Sequence, residues 1–205
     1  MREKENNKVS IAGKVVGYFE YNHEVFGERF FTNEVSVERT SGTADIVPIV
    51  VSERTVDVKA DWIGKTVEVF GQFRSHNKKD GERTRLILSV FADEFNRSDI
   101  EYNFNYIEFV GYVCKEPIYR QTPAGREITD VLIAVNRQYG KTDYFPCIAW
   151  GRNAFYTSKL PVGTKVKCQG RIQSREYTKC LENGNTEVRT AYEVSISKIE
   201  EMKEE

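Results

Sequence analysis

Cysteine and histidine are the side chains best suited to metal binding, and their spacing here predicts no metal site. The four cysteines all lie in the second half of the chain, and none forms a Cys-x-x-Cys pair. His23 and His76, the two histidines, both precede them. Structural zinc sites bring paired ligands at short spacing. We therefore expect no cofactor, and we expect the thiols to serve in packing.

Catalytic motifs are also missing from the sequence. It contains no glycine-rich phosphate loop, no His-Glu metal pattern and no nucleophile motif. Asp45 and Asp143 recur at equivalent positions of a repeat described below, and we interpret them as turn residues. The sequence therefore predicts a protein that is not an enzyme and has no catalytic residues.

Aromatic and basic side chains on exposed strand faces offer a different chemistry. Tyr144 and Trp150 have the same parity and alternate with apolar residues, and a series of basic residues shares one face of a later strand: Lys165, Lys167, Arg171 and Arg175. Aromatic rings can stack on bases, and cations neutralise phosphates. The net charge is −1, but residues 101–199 carry +4. This distribution indicates a polyanionic partner.

An internal repeat organises the elements that must position these residues. Residues 9–13 (VSIAG) resemble residues 107–111 (IEFVG) at an offset of 98, and Gly64 and Gly71 match Gly163 and Gly170 at an offset of 99. The last strand of the first copy matches the last strand of the second at an offset of 106. An ordered series of this kind indicates duplication of a module of about 90–95 residues.

The period of two within each copy predicts strands. Apolar residues alternate with polar ones over residues 144–150, 165–173 and 191–197, and only residues 152–160 have a helical pattern. Five strands with one short helix before the fourth suit an oligonucleotide-binding (OB) fold. We predict an all-β chain of two tandem OB folds, each a five-stranded Greek-key barrel with at most one short helix.

The predicted boundaries follow from the repeat. Domain 1 covers residues 8–95 and domain 2 covers 105–199, with a linker over 96–104. Residues 1–7 are expected to be flexible, and 200–205 form an acidic tail. No apolar stretch approaches the roughly 20 residues of a membrane helix, and the N-terminus lacks the apolar core of a secretory signal. We expect a cytoplasmic, nucleoid-associated protein without a membrane partner.

Domain 2 resembles the bacterial single-stranded DNA-binding protein family. The resemblance covers essentially all of residues 105–199, and its main stretches are 107–111 (IEFVG), 116–125 (EPIYRQTPAG), 133–137 (IAVNR), 142–152 (TDYFPCIAWGR) and 166–177 (VKCQGRIQSREY). Some members of this family carry tandem OB folds. Domain 1 keeps only the skeleton of the pattern, including Arg39, Asp45 and the pair Gly64 and Gly71.

The resemblance implies binding of single strands by base stacking in a basic groove. Carried over by position, the stacking residues are Tyr139, Tyr144, Trp150 and Tyr177. The corresponding phosphate contacts are Arg137, Arg152, Lys167, Arg171 and Arg175. Each stacked base contributes roughly 1–3 kcal/mol. Tyr139 is expected at a hairpin tip, and Tyr177 at the start of a hairpin loop.

Domain 1 departs from this pattern at the stacking positions. It has Ser41, Ile46 and Ser52 where domain 2 has Tyr139, Tyr144 and Trp150, so its platform is degenerate. The aromatic residues that remain are expected to pack in a core or an interface: Tyr18, Phe19, Tyr21, Phe26, Phe30 and Phe31. Trp62 is expected to pack as core.

The expected function is non-enzymatic binding of single-stranded DNA in replication, recombination or repair. Two chains would supply four OB folds, the number that this family commonly assembles, so we expect a homodimer. Replication or repair proteins are further candidate partners, although the acidic tail has no aromatic tip through which family members recruit such enzymes. Two alternatives stay open: a primosome-like OB module that binds proteins, and a binder of single-stranded RNA.

Overall fold

Twelve strands and one short helix make up the chain in a computed structural model, which describes residues 6–81, 83–137, 140–180 and 185–203. The strands of domain 1 are β1 (Asn7–Val15), β2 (Glu20–Val25), β3 (Glu28–Glu38), β4 (Ala44–Ser52), β5 (Thr66–Asp80) and β6 (Arg83–Arg97). The elements of domain 2 are β7 (Phe104–Val113), β8 (Ile118–Gln121), β9 (Glu127–Asn136), β10 (Thr142–Trp150), α1 (Arg152–Thr157), β11 (Lys165–Cys180) and β12 (Thr186–Glu201).

Each copy closes into a barrel of five strands. In domain 1, β1 pairs with both β3 and β5, and β4 pairs in parallel with β6. In domain 2, β7 pairs with both β9 and β11, and β10 pairs in parallel with β12. The short strands β2 and β8 are additional and lie at the two ends of the strand order. The predicted pair of OB folds is confirmed, with its one helix before β11.

The predicted alternation places one side of the barrel strands in the core. Phe73 of β5, Phe109 of β7 and Phe145 of β10 are fully buried, and the ring centroids of Phe73 and Phe145 lie 4.9 Å apart. Because Phe73 belongs to domain 1 and Phe145 to domain 2, the barrels share one apolar cluster. Burial of this surface stabilises the two copies as one unit.

The repeated Gly71 and Gly170 occupy equivalent crowded positions. A Cβ on Gly71 would lie 2.0 Å from the carbonyl oxygen of Phe91, and one on Gly170 would lie 2.2 Å from that of Ser195. Each glycine adjoins a register shift in its hairpin. Close approach of two backbones at a bulge therefore requires glycine in both copies.

The structure corrects the register of the repeat in the last strand. Ile49 of β4 pairs with Val90 of β6, and Cys147 of β10 pairs with Val194 of β12. The offset between the last strands is therefore 104, and the predicted offset of 106 is wrong. A period-two pattern matches itself after a shift of two residues, so the alternation could not distinguish the two registers.

The ends of the barrels differ slightly from the predicted boundaries. Strand β6 extends to Arg97 and β12 to Glu201, so both run two residues past the predicted ends of the domains. Helix α1 begins at Arg152 as predicted and ends at Thr157. Among the described residues, no helix is long and apolar enough to cross a membrane.

The two barrels are joined edge to edge by an antiparallel pair. Strand β1 pairs with β7 from Asn7 opposite Phe109 to Ala12 opposite Phe104. The equivalent residues Asn7 and Asn105 each hydrogen-bond to the backbone of a long hairpin. The side-chain amide of Asn7 donates to the carbonyl oxygen of Phe73 and accepts from its N–H, and that of Asn105 does the same with Ile172, at distances of 2.6–3.1 Å. The duplication therefore forms an approximately two-fold arrangement within one chain.

Asp45 and Asp143 connect the two copies and are not turn residues. Their side chains are 1% and 0% exposed. Asp45 accepts a 3.0 Å hydrogen bond from the backbone N–H of Ser174, and Asp143 accepts one of 2.5 Å from that of Ser75. Each carboxylate is therefore buried against the hairpin of the other copy. A buried charge is costly unless it is hydrogen-bonded or ion-paired, and these contacts supply the partners.

Candidate nucleic-acid interface

A cleft of about 880 Å³ opens beside Trp150, between the β11–β12 hairpin of domain 2 and strand β4 of domain 1. The indole of Trp150 is half-buried, and its Nε1–H donates a 3.1 Å hydrogen bond to Ser195 Oγ. The opposite wall includes Ala44 and Ile46 of domain 1. The predicted stacking residue thus lies in a groove to which both copies contribute.

Arginines line this cleft. Two are predicted contacts, Arg171 and Arg175, and two were not predicted, Arg39 and Arg126. Arg126 is exposed and follows the β-turn at Gly125, which has φ of 76°. Its position one residue after a Pro-Ala-Gly turn was the only sequence signal that could have suggested it. Four arginines against two glutamates make the described lining electropositive.

Two guanidinium groups share one carboxylate on the floor of the cleft. Arg39 donates from Nε to Asp45 Oδ2 at 2.7 Å, whereas Arg171 Nε lies 3.8 Å from the same oxygen. Among the described residues, Arg171 Nε is buried and has no hydrogen-bond partner. Burial, and then the charge of Arg39, lower the pKa of Arg171. Two guanidinium groups thus face one carboxylate, and this excess of positive charge favours an anion in the cleft.

Tyr144 lies at the other end of β10. It is 42% exposed and faces away from the core, as its parity predicts. Six residues of strand separate it from Trp150, about 20 Å at about 3.3 Å per residue. Its backbone N–H donates to Ser75 Oγ at 2.8 Å, just as that of Ile46 donates to Ser174 Oγ at 2.9 Å. Tyr144 and Ile46 are therefore structurally equivalent.

Tyr177 lies within a strand, and its predicted place at the start of a loop is wrong. Strand β11 continues to Cys180, and Tyr177 pairs with Arg189 of β12. The ring is 38% exposed, and the Arg175 guanidinium carbon lies 5.9 Å from its centroid. The hairpin therefore presents an aromatic face beside a cation. Tyr139 lies outside the described residues.

Arg137 is held in a hydrogen-bond network that joins the two copies. It donates from Nε to Asp143 Oδ2 at 2.7 Å and from Nη2 to the backbone oxygen of Ser75 at 2.8 Å. Arg74 of domain 1 lies 3.2 Å from the same carboxylate. The prediction of Arg137 as a phosphate contact did not include this network, because Arg74 and Ser75 lie more than 60 residues away in the sequence.

The basic residues of β11 do not form one continuous track. Lys167 lies outside the lining of the cleft and contacts Glu108 Oε1 at 3.0 Å. Hydrogen bonds from Gln169 and Lys167 hold the pKa of Glu108 below its ordinary value. Arg152 begins α1 directly after Trp150 and Gly151 and is exposed. The structure thus separates Lys167 from Arg171 and Arg175.

Domain 1 has no aromatic side chain at the stacking positions. Ser52, equivalent to Trp150, is 6% exposed and donates a hydrogen bond to Glu28. Phe30 packs in the core, but Tyr18, Tyr21 and Phe26 are 76%, 61% and 102% exposed, so they are not core residues. Trp62 packs against Phe95, with the ring centroids 5.0 Å apart.

Comparisons with known proteins match this architecture. The family model "Single-strand binding protein family" matches residues 104–202. Single-stranded DNA-binding protein B of Bacillus subtilis is 36% identical over an alignment of 81 residues, and the alignment covers 36% of this chain and 72% of that protein. Single-stranded DNA-binding protein 1 of Staphylococcus aureus is 32% identical over 80 residues, and the chain covers 48% of its length.

A solved structure extends the fold comparison to both copies. The wild-type single-stranded DNA binding protein from Thermus aquaticus superposes with a TM-score of 0.78 at 18% identity. The alignment covers 97% of this chain and 94% of that chain. At this identity the match is evidence of the fold alone, and it includes the arrangement of the two barrels.

Proposed function

This chain belongs to the single-strand binding protein family, and on that premise we propose that it binds single-stranded DNA without catalysing a reaction on it. The observation that carries the proposal is the cleft in which Trp150 lies among four arginines. A base has an aromatic face whatever its identity, so stacking on an indole tolerates any sequence. Arginines beside the stack supply donors for phosphate oxygens.

The strand runs along the cleft, with its bases toward Trp150 and its phosphates toward Arg171, Arg175 and Arg126. Arg171 and Arg175 are the donors best placed for a phosphate, because their side chains are 41% and 57% exposed. Tyr177 continues the aromatic surface along the hairpin, and Tyr144 serves a separate segment of the strand. Each stacked base contributes roughly 1–3 kcal/mol.

Such binding would protect or present single strands during replication, recombination or repair. This role would place the chain at the nucleoid in the cytoplasm, with replication or repair proteins as further partners. The two barrels hold the walls of the cleft in a rigid frame, because the shared core and the buried aspartates connect them. A fixed frame lowers the conformational cost of engaging a long ligand.

We propose a homodimer formed through the outer face of the central sheet. Phe70, Ser10 and Tyr106 occupy one row across β5, β1 and β7, because Ser10 pairs with both neighbours. Phe104 stacks beside Tyr106, with centroids 6.3 Å apart, and is 46% exposed. Light scattering should return twice the chain mass of 23.7 kDa, and Phe104→Asp should favour the monomer. A parent particle of single-chain mass across a wide concentration range would contradict this assembly.

The function is tested by titrating fluorescently labelled oligonucleotides at two salt concentrations. Stacking requires unpaired bases, so single strands should bind far more tightly than duplex of the same sequence. Affinity should fall as salt rises, because each neutralised phosphate releases counterions. Equal affinity for duplex and single strand would refute base stacking. An RNA competitor that displaces DNA at equal concentration would extend the ligand class to RNA.

A further inference from the structure

A second cavity lies between the two long hairpins and adjoins the Trp150 cleft. We call the outer part of the β5–β6 hairpin (residues 74–89) arm 1 and that of the β11–β12 hairpin (residues 173–193) arm 2. The cavity has a volume of about 330 Å³ and is lined by both arms. Pro48 and Pro146, which are repeat equivalents, form part of its floor. It therefore lies across the approximate two-fold axis and belongs to neither copy alone.

The walls of this inter-arm cavity suit a flat ring with a polar edge. Tyr177 and Tyr192 of arm 2 supply aromatic surface, and Leu86 of arm 1 supplies an apolar wall opposite. His76 and Thr190 provide polar groups among these apolar side chains. A mainly apolar, concave site with a few polar groups is the usual form of a small-ligand pocket. A nucleobase has faces and edges of this kind.

The mouth of the cavity is cationic. Arg85 lines it and is exposed, and Lys78 lies directly opposite Arg85 in the hairpin register. Two like charges directly opposite each other destabilise a strand pair unless an anion lies between them. The nearby Glu187 is held mainly by Arg189, whose Nε donates a 2.8 Å hydrogen bond to it, and this bond, followed by the charges of Arg189 and Arg85, lowers the pKa of Glu187. Arm 1 therefore presents positive charge to a phosphate.

The carboxylate of Glu193 inside the cavity does not exclude an anionic ligand. Its Oε1 accepts a 2.6 Å hydrogen bond from Gln173 Nε2 and lies 3.9 Å from Arg175 Nε. Its side chain is 15% exposed, and its charge is balanced by these contacts within arm 2. The phosphate-binding side of the cavity is instead the arm 1 side, at Arg85.

The cavity is contiguous with the Trp150 cleft. Thr190 and Tyr192 line both spaces. A strand that leaves the cleft along arm 2 therefore reaches the cavity at Thr190 and Tyr192 without crossing the barrel. We propose, on the basis of the single-strand binding proposed above, that the inter-arm cavity takes one base of the bound strand while Arg85 holds its phosphate.

This assignment gives domain 1 a part in binding although it lacks a stacking platform. Arm 1 supplies the cation and the apolar wall, and arm 2 supplies the ring on which the base stacks. The single strand thereby bridges the two arms. The site is incomplete in either copy alone.

The first experiment measures the affinity of the full-length chain for an oligothymidylate of about 30 nucleotides, long enough for two OB folds. Arg85→Ala should weaken binding about tenfold, the loss expected for one charge-assisted hydrogen bond. It should also reduce the slope of log affinity against log salt by about one. Arg97→Ala is the matched control, since Arg97 is exposed at the opposite end of the same strand, outside the cavity lining.

A double-mutant cycle and a variant with a filled cavity test whether Arg85 and Tyr177 contact the same nucleotide. The combined loss from Arg85→Ala and Tyr177→Ala should be smaller than the product of the separate losses, because both contact the same nucleotide. Ala191→Phe places a ring in the cavity and should bind like the Arg85 variant. An abasic position at the nucleotide that occupies the cavity should weaken binding to the parent and have less effect on the filled variant, whereas an abasic position at the Trp150 stack should weaken both.

The outcomes separate this inference from the proposed function. If the parent binds tightly and Arg85→Ala binds like Arg97→Ala, the cavity assignment is wrong and single-strand binding stands. Multiplicative losses in the cycle also overturn it. If the parent itself binds no single strand, both proposals fail. Because Arg85 is exposed, its substitution leaves the core intact, and matching thermal melts would verify this even if Ala191→Phe fails to fold.

Discussion

Removal of the Asp143 carboxylate should destabilise the chain far more than removal of an exposed one. Asp143 is fully buried and accepts hydrogen bonds from Arg137 of its own copy and from Ser75 N–H of the other. Arg74 lies 3.2 Å from its Oδ2. In Asp143→Ala, two guanidinium groups that are only 24% and 27% exposed lose their counter-charge, and a backbone N–H loses its acceptor.

The expected magnitude follows from the burial of this network. Deleting one partner of a buried charge pair costs about 3–5 kcal/mol, because the remaining charge is left unpaired. At about 2–4 °C per kcal/mol for a chain of this size, a loss of about 4 kcal/mol lowers Tm by about 8–16 °C. Asp143→Asn keeps one acceptor oxygen and should show a smaller loss.

Differential scanning calorimetry of Asp143→Ala and Asp130→Ala makes the comparison. Asp130 also pairs with an arginine, Arg120, but their side chains are 38% and 46% exposed. An exposed pair contributes at most about 1 kcal/mol, so Asp130→Ala should lower Tm by only a few degrees. Equal shifts in the two variants would show that burial of Asp143 between the copies is not what makes its ion pairs important.

Three further predictions concern the interface and the central sheet. Tyr144→Ala should cost roughly 1–3 kcal/mol of binding free energy, which is about a five- to hundred-fold loss of affinity. The equivalent Ile46→Ala should change affinity little in a folded protein, and oligonucleotide titration compares the two variants. Tryptophan quenching by DNA should persist in Trp62→Phe and disappear in Trp150→Phe, because only Trp150 lines the cleft, and quenching that followed Trp62 would misplace the interface. Because the pKa of Glu108 is lowered in the folded state, its carboxylate stabilises the fold at pH values above its ordinary pKa of 4.5. This stabilisation is lost as the pH falls through the lowered pKa. Glu108→Gln should therefore reduce the urea midpoint at neutral pH and have the same midpoint as the parent in strong acid.

Local sequence was sufficient for the strands and the direction of their side chains. The alternation of Tyr144 and Trp150 with Phe145 placed both aromatic residues on the outer face, because successive residues of a strand point to opposite sides. The spacing of Gly64 and Gly71, repeated at Gly163 and Gly170, identified the two copies. The same period of two left the register of the last strand ambiguous.

The roles of charged residues depended on partners distant in the chain. Asp45 is bonded to Ser174 and Asp143 to Ser75, so their burial could not be inferred from neighbouring residues, which suggested turns. Arg137 had the same basic character as Arg171 in the sequence, yet of these two arginines only Arg171 has a buried donor without a hydrogen-bond partner among the described residues.

The amino-acid sequence by itself determined a duplicated barrel and an outward-facing pair of aromatic residues, since both depend on local periodicity. Tertiary structure decided where a ligand can enter. The Trp150 cleft takes one wall from domain 1, and Ile46 of that wall bonds to Ser174, 128 residues away. The copy without a stacking platform therefore completes the cleft, because the joining of β1 to β7 brings each hairpin across to the other barrel.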